Sequence, residues 1–243
     1  MPIRSVCQKL TSLILLSFLA VMPLSVEAAD LKDLRVLSSV FPPYSFYAEG
    51  QPQGVAVQKL QQLFEKLGHK PDIEIYPWAR AYSMVQNTPN SILFSVARTP
   101  EREDMFVWLG TIIDFDVRIY RAADRTDIQL NSEDDFTKFD FAGLLKDVKT
   151  GYLKKRGVTV REVPNEETAL KMLLRGRVDL MASDRNAAEY RLAEMGIHQT
   201  DVVSAYRIES LSKPLYLIAH KDTDPALIKQ LRAALAEMNG AAD

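Results

Sequence analysis

Residues 91–104 read SILFSVARTPERED, and this stretch decides the fold class. Its first seven residues are uncharged and mostly apolar, which predicts a strand buried on both faces, as in a parallel sheet. Thr99 and Pro100 are typical of a helix start, so the sequence predicts that the strand ends at Arg98 and that a helix follows. Arg102 would then lie at the carboxyl end of a strand, which is the edge where open α/β sheets bind their ligands.

Two interpretations of this arginine are open from the segment alone. A guanidinium beside a helix N-terminus makes a site for a small anion such as a carboxylate, which would give Arg102 a binding role. Alternatively, Arg98 and Arg102 are surface arginines that pair with the neighbouring acids Glu101, Glu103 or Asp104.

Residues 1–28 have the pattern of a secretory signal peptide. Arg4 and Lys9 give a basic start, an apolar run follows from Leu10 to Val21, and a small-residue site ends at Ala28. The apolar run is shorter than the roughly 20 residues that a membrane-spanning helix needs. We therefore expect export to the periplasm, with cleavage near Ala28 and without a membrane anchor.

Composition excludes several classes of function. The chain has 30 Lys and Arg against 32 Asp and Glu, and this balance argues against a nucleic-acid partner. Its one cysteine, Cys7, lies in the predicted signal peptide, and the three histidines, His69, His198 and His220, have no partners at metal-ligand spacing. Glycine motifs for nucleotides are also missing, so we expect no metal and no cofactor. Catalysis by Asp or Glu leaves no short motif and is not tested in this way.

Two halves of the chain repeat one pattern. Strand and helix signals alternate over residues 34–97, an acidic and polar stretch covers residues 124–138, and strand and helix signals alternate again over residues 139–208. An amphipathic helix is predicted from Asp224 onward. This order predicts an α/β protein with right-handed crossovers and parallel strands.

The second half also places a charge after a buried strand. Asp184 follows the buried strand predicted for residues 178–183 as Arg102 follows its own strand, and opposite charges facing one cleft would suit a zwitterion. The alternative for Asp184 is that it caps the helix that follows. The aromatic loop 41–46 is either a wall of this cleft or ordinary core.

Four segments in this order resemble the periplasmic solute-binding proteins for amino acids and related polar compounds that serve ABC importers. They are Phe41-Pro42-Pro43-Tyr44-Ser45-Phe46 followed by Gly54, the segment from Ser95 to Arg102, the strand from Gly176 through Asp184, and Lys213-Pro214-Leu215-Tyr216. The likeness runs over nearly all of residues 31–240. One departure is Lys146-Asp147-Val148, which stands where the family often has Gly-Ser or Gly-Thr and so lacks the expected hydroxyl.

The resemblance implies an α/β, two-lobed periplasmic binding protein of type II with two crossover hinge segments. Lobe 1 would comprise residues 29–121 and 208–243, and lobe 2 residues 122–207. A ligand that bridges the lobes would favour their closed form.

The same resemblance implies a ligand-binding site and no catalytic residues. Arg102 falls where the family arginine binds a ligand carboxylate, and Asp184 where an acid binds the ammonium. Trp78 and Phe41 fall at cleft walls, and Ser95 near a polar ligand contact. With the aromatic-loop tyrosine added, the candidate residues are Arg102, Asp184, Trp78, Phe41, Ser95 and Tyr44.

The expected function is therefore capture of an amino acid, or a related zwitterion or carboxylate, for an ABC importer. The expected partners are the small ligand and a permease or membrane sensor, and we expect a monomer. Two alternatives stay open: a sensory or orphan binding protein of the same fold, and a lyase for small carboxylic acids. A lyase would need a further cleft carboxylate or a lysine beside its substrate.

Overall fold

Residues 30–240 are described by a computed structural model, in which two five-stranded sheets are surrounded by six α-helices. The predicted signal peptide lies outside the described residues. The strands are β1 (Arg35–Ser39), β2 (Phe46–Ala48), β3 (Gln51–Gln53), β4 (Ile73–Tyr76), β5 (Ser91–Ala97), β6 (Val107–Ile113), β7 (Val117–Ala122), β8 (Phe141–Leu144), β9 (Val160–Val163), β10 (Leu180–Asp184), β11 (Val202–Arg207) and β12 (Leu215–Ala219). The helices are α1 (Val55–Lys66), α2 (Trp78–Asn87), α3 (Val148–Lys155), α4 (Glu166–Leu174), α5 (Arg185–Glu194) and α6 (Pro225–Gly240).

The first sheet has the strand order β4-β1-β5-β12-β6. The pairs β1–β4 and β1–β5 are parallel, as the alternation of strands and helices predicted. By contrast, β12 is antiparallel to both of its neighbours, because the chain returns to this sheet from the other one. Strand β5 is central and almost fully buried, which confirms the strand predicted for residues 91–97.

The second sheet has the order β11-β7-β10-β8-β9. The chain crosses between the sheets at residues 114–116 and again at residues 208–214. Residues 117–121 were assigned to lobe 1 in the sequence-based division, but β7 is paired with β10 and β11 in the second sheet. We therefore propose that the first crossing segment is 114–116. Lobe 1 denotes the first sheet with its helices, and lobe 2 denotes the second sheet with its helices.

The predicted helix at Thr99 and Pro100 is wrong. Residues 99–102 form a turn in which the Arg102 amide bonds the Thr99 carbonyl at 3.0 Å, and only a short 3-10 helix, Glu103–Met105, follows. The chain then enters β6 at Val107, so an α-helix has no room between the two strands. Arg102 therefore lies in a tight turn at the carboxyl end of β5, directly before a 3-10 helix rather than an α-helix.

The aromatic loop is fixed against the first turn of α1. The amides of Val55 and Ala56 donate to the carbonyl oxygens of Pro43 and Tyr44, at 3.1 and 3.0 Å. Gly54 has a φ of 120°, and a Cβ atom there would lie 2.3 Å from the Tyr44 carbonyl oxygen. Only glycine allows this approach, so the loop is held by backbone contacts rather than by its rings alone.

Three helices of lobe 2 begin with a side-chain cap. Asp147, Asn165 and Asp184 accept hydrogen bonds from amides in the first turns of α3, α4 and α5 respectively. Because each cap follows the end of a strand, all three helix starts lie at the carboxyl edge of the second sheet.

Within residues 30–240, none of the helices is both long enough and apolar enough to cross a membrane.

Candidate functional site

A cleft of about 670 Å³ lies between the carboxyl edges of the two sheets. Lobe 1 contributes residues that follow β1, β4 and β5, and lobe 2 contributes the starts of α3 and α4 together with α5. Of the six candidate residues, Arg102, Trp78, Phe41 and Ser95 line this cleft. Asp184 and Tyr44 are buried and do not line it.

Arg102 is a buried cation that has no counterion among residues 30–240. Its side chain belongs to a residue that is only 8% exposed, and one guanidinium nitrogen donates to the Ala97 carbonyl oxygen at 3.1 Å. The guanidinium carbon lies 5.4 Å from the Trp78 ring centre and 4.9 Å from that of Tyr82. Among the residues that the structure describes, no carboxylate pairs with it. An arginine has five N–H donors, so most of this donor fork is available to a ligand.

Arg98 is the opposite case, four residues earlier. It forms a two-nitrogen ion pair with Glu103 and is about two-fifths exposed. The interpretation of this segment as paired surface arginines therefore holds for Arg98 and does not hold for Arg102.

Ser95 lies at an irregular point of β5. Its φ is 65°, a left-handed conformation that is rare for serine inside a strand, and the ladder between β5 and β12 shifts register at this position. The Ser95 hydroxyl oxygen is buried, and no hydrogen-bond partner for it is found in the described residues. Backbone strain and a polar atom without a partner, both at the cleft, are features of a ligand-binding position.

Aromatic rings form the walls of the cleft. Trp78 donates from its indole nitrogen to the carbonyl oxygen of Lys146 across the cleft, at 3.0 Å, so its ring is held in place from lobe 2. Phe41 packs on Tyr44 and Phe115, with ring centres 4.8 and 6.1 Å away. The loop 41–46 is thus both wall and core: Phe41 faces the cleft and Tyr44 is buried behind it.

Asp184 accepts three hydrogen bonds from the protein, with at least one on each oxygen. Its Oδ1 accepts from the Tyr44 hydroxyl at 2.9 Å and from the Ala187 amide at 3.0 Å, and its Oδ2 accepts from the Asp116 amide at 2.9 Å. Asp184 has no solvent exposure, and its burial raises the pKa of the carboxyl. Burial and the nearby Asp184 also raise the pKa of Tyr44. This geometry matches the helix-cap alternative for Asp184 and leaves the carboxylate without a face toward the cleft.

A cluster of paired charges on lobe 2 was missed by the sequence analysis. Glu166 accepts from Lys149 at 3.0 Å and from Arg191 at 2.6 Å, and the Ser183 hydroxyl donates to it at 3.0 Å. Lys149 also bonds Asp147 at 3.0 Å.

The ion pairs within this cluster determine the direction in which the pKa values of Glu166 and Lys149 change. Burial opposes the charge on Glu166, but Arg191 and Lys149 outweigh it and lower the pKa of Glu166 to about 2. Burial likewise opposes the charge on Lys149, yet Asp147 and Glu166 raise its pKa. Glu166 and Lys149 are therefore ionised near neutral pH, and both charges are paired inside the protein.

The two lobes touch at the mouth of the cleft. Phe46 of lobe 1 packs on Tyr190 of lobe 2 with ring centres 5.6 Å apart, and Glu101 forms an ion pair with Lys155. Over the described range 30–240, no group of three or more His, Cys, Asp or Glu side chains has the spacing of a metal site.

Two α/β lobes joined by two crossing segments, with a partly aromatic cleft and a free buried arginine between them, define a ligand-binding protein of the two-lobed kind. Residues 34–241 match the model of the bacterial extracellular solute-binding proteins, family 3, and the chain belongs to this family. The family resemblance and the two-lobed type II fold predicted from the sequence are confirmed.

Solved structures of this fold are similar over most of their length. An ancestral arginine-binding protein bound to arginine has a TM-score of 0.73 and 19% identity, over 87% of this chain and 94% of that one. A histidine kinase sensor domain with similarity to periplasmic binding proteins has a TM-score of 0.78 and 18% identity, over 88% and 93%. An ancestral amino-acid-binding protein, a precursor of cyclohexadienyl dehydratase, has a TM-score of 0.70 and 24% identity, over 85% and 89%. A comparison with curated protein sequences finds no match.

Proposed function

We propose that this protein is exported to the periplasm and captures a small ligand that carries a carboxylate, an amino acid or a related zwitterion or carboxylate, between its two lobes. The ligand carboxylate bonds the guanidinium of Arg102. An ABC permease or a membrane sensor recognises the closed form, and the protein acts as a monomer.

The observation that carries this proposal is the buried charge of Arg102, with which no carboxylate in the described part of the chain pairs. Taking an arginine out of water without a counterion costs free energy, and proteins usually avoid it. The cost is offset here only in part by the Ala97 carbonyl and by the rings of Trp78 and Tyr82. A ligand carboxylate would complete the site, because it matches the planar fork of donors.

Closure around the ligand follows from the position of the site between the lobes. Arg102, Ser95 and Phe41 belong to lobe 1, and the opposite wall belongs to lobe 2. A ligand makes contacts with both walls only when the lobes are together, so binding favours that state. The crossing segments 114–116 and 208–214 are the hinge in this proposal.

A sensory role is the second candidate. The histidine kinase sensor domain shares this fold with a TM-score of 0.78, and the same closure would serve a sensor as well as an importer. The presence of permease genes or of a sensor kinase gene beside this one distinguishes the two roles.

The charged pairs of lobe 2 argue for binding rather than catalysis. One structural relative is a precursor of a dehydratase, and Glu166 and Lys149 do bring a carboxylate and a lysine to the cleft. However, the pKa of Glu166 is about 2, so this carboxyl holds no proton to donate near neutral pH. The pKa of Lys149 is raised, so its ammonium does not act as a base.

The test is calorimetry on the mature protein, after a thermal-shift screen of amino acids, amines and small organic acids. With a ligand from that screen, we expect Arg102→Ala to lose about thirty-fold or more in affinity, which corresponds to roughly 2 kcal/mol or more. The matched control is Arg98→Ala, because Arg98 is paired with Glu103, and its affinity should stay near wild type. Wild-type affinity in Arg102→Ala would contradict the proposal.

A further inference from the structure

We infer that the ligand is a monocarboxylate with an aromatic or other flat apolar body and without an ammonium group. This inference rests on the proposed function and narrows it, because it sets the ligand apart from the α-amino acids. Three features of the cleft carry it: the balance of buried charge, the occupation of every inner acid, and the aromatic walls.

The buried part of the cleft has one positive charge in excess. Its cations are Arg102, Lys149 and Arg191, and its carboxylates are Asp147 and Glu166. Both carboxylates already pair with Lys149 or Arg191 at 2.6–3.0 Å. Arg102 alone lacks a partner among the described residues, so a ligand with one negative charge neutralises the site. A zwitterion would neutralise Arg102 and add an ammonium that has no free counterion.

Asp184 does not supply that counterion. Each of its oxygens accepts a hydrogen bond from the protein, and the Tyr44 hydroxyl lies on the side that belongs to lobe 1. The side-chain amide of Asn186 in turn donates to the Tyr44 hydroxyl at 2.9 Å, which fixes the orientation of this hydroxyl. A ligand ammonium would have to displace Tyr44 and break both bonds.

The acids at the mouth of the cleft are weak counterions for a ligand ammonium. Glu167 and Glu194 line the opening and are exposed, and Glu167 also pairs with Lys171. An ion pair in contact with water adds little affinity. An ammonium held there would gain much less than one buried beside a free carboxylate.

The helix starts of lobe 2 that line the cleft disfavour a second anionic group. Asp147 caps α3, and Glu166 lies in the first turn of α4, so each helix start already carries a carboxylate. A dicarboxylate would therefore place its second charge beside these acids. One carboxylate, bound by Arg102, is the charge that this cleft accommodates.

The remaining lining is largely apolar and rich in aromatic rings. Six aromatic side chains contribute to the cleft: Phe41, Phe46, Tyr47, Trp78, Phe115 and Tyr190. The volume of about 670 Å³ is in the range of pockets for drug-sized ligands and is larger than an acid of two or three carbons needs. An aromatic or extended apolar body fills this space and stacks on these rings.

The test uses pairs of ligands that differ only in the ammonium group. They are 3-phenylpropionate with L-phenylalanine, indole-3-propionate with L-tryptophan, and 4-methylpentanoate with L-leucine, and phenethylamine serves as the amine without a carboxylate. In calorimetry on the mature protein, we expect the acid of at least one aromatic pair to bind ten-fold or more tighter than its amino acid. Phenethylamine should not bind.

A variant of Tyr44 tests whether Asp184 takes any part in binding. Tyr44→Phe removes the hydroxyl that bonds Asp184 and leaves the ring in place. We expect the ratio of the two affinities within a pair to stay the same, because Asp184 keeps the Ala187 and Asp116 amides and does not line the cleft. A ratio that changes three-fold or more would contradict this position of Asp184.

Failure of the inference is distinct from failure of the proposed function. If the amino acid of each pair binds as tightly as its acid and loses that affinity in Arg102→Ala, the ligand is a zwitterion and only the present inference is overturned. If none of the three acids binds at millimolar concentration, the inference is also overturned. Binding of phenethylamine that is independent of Arg102 would overturn both.

Discussion

The two walls of the cleft handle buried cations in opposite ways. On lobe 1, Arg102 is buried beside aromatic rings, and no carboxylate among the described residues pairs with it. On lobe 2, Lys149 and Arg191 are similarly enclosed, and Glu166 bonds both. The cation of the lobe 1 wall is therefore paired only when a ligand supplies a carboxylate, whereas the cations of the lobe 2 wall are paired by the protein itself.

This difference determines whether a substitution changes the ligand affinity or the stability of the folded protein. A buried charge whose partner belongs to the ligand contributes little to the stability of the folded protein and much to ligand affinity. A charge paired inside the protein contributes to folding, because removal of one member leaves the other buried and unpaired. Substitutions on the two walls should consequently affect different measurements, and three of them test the comparison.

The largest effect is expected at Glu166 on lobe 2. Glu166→Gln leaves Arg191 without its carboxylate and Lys149 with Asp147 alone. We expect a loss of about 3–5 kcal/mol in the free energy of unfolding, measured by denaturant titration. The matched control is Glu167→Gln at the next position, where an exposed pair with Lys171 should change stability by about 0.5 kcal/mol or less.

The comparison of wild type with Glu166→Gln can also be made as a function of pH. The pKa of Glu166 lies at about 2 in the folded protein against about 4.5 for a free glutamate side chain, so the folded state favours the ionised form. Its contribution to stability is then fully present above about pH 4.5 and is lost as the pH falls toward 2. The stability difference between wild type and Glu166→Gln should narrow over that range. A constant difference would show that Glu166 is not ionised in the folded protein.

A smaller loss of stability is expected at Asp184, behind the cleft. Asp184→Ala removes the cap of α5 and the acceptor for Tyr44 and for the Asp116 amide. We expect a loss of roughly 2–4 kcal/mol, the combined effect of a lost cap and of at least one donor left unsatisfied. Asn165→Ala removes a cap alone and should lose only about 1 kcal/mol, measured in the same way.

The sequence-based expectation for Asp184 differs at this point. A binding role alone would leave the free protein's melting temperature unchanged in Asp184→Ala, while ligand affinity would disappear. The hydrogen bonds of Asp184 instead predict that the melting temperature falls. An unchanged melting temperature would contradict the structural role of Asp184 and restore the zwitterion as a ligand.

Local pattern was sufficient for the parts of the site that one segment builds. The uncharged run 91–97 predicted β5, and the abrupt change to charged residues placed Arg102 at its carboxyl end. The helix predicted at Thr99 was wrong because the decisive partner is distant in sequence. Strand β12, more than one hundred residues later, pairs with both β5 and β6. Val107 is therefore already part of the sheet, which leaves no room for an α-helix after Thr99.

The charged cluster of lobe 2 had no local signal. Lys149, Glu166 and Arg191 belong to three helices. Lys149 and Arg191 each have an acid two positions away, Asp147 and Glu189, which suggests ordinary surface positions. Their burial depends on how α3, α4 and α5 pack on the second sheet. The departure at Lys146-Asp147-Val148 was the one hint, since it placed charge where the resemblance leads one to expect a small hydroxyl residue.

The smallest effect is expected where the two walls meet at the surface. Glu101 of lobe 1 pairs with Lys155 of lobe 2, and both side chains are more than half exposed. Water and salt screen such a pair, so Glu101→Gln should weaken ligand binding by less than about fivefold, and only at low ionic strength. Calorimetry at about 20 mM and at about 500 mM salt checks this, since the Debye length falls from roughly 20 Å to about 4 Å between them. A larger loss that persists at high salt would mean that closure depends on this contact, and that affinity is not confined to the wall that carries Arg102.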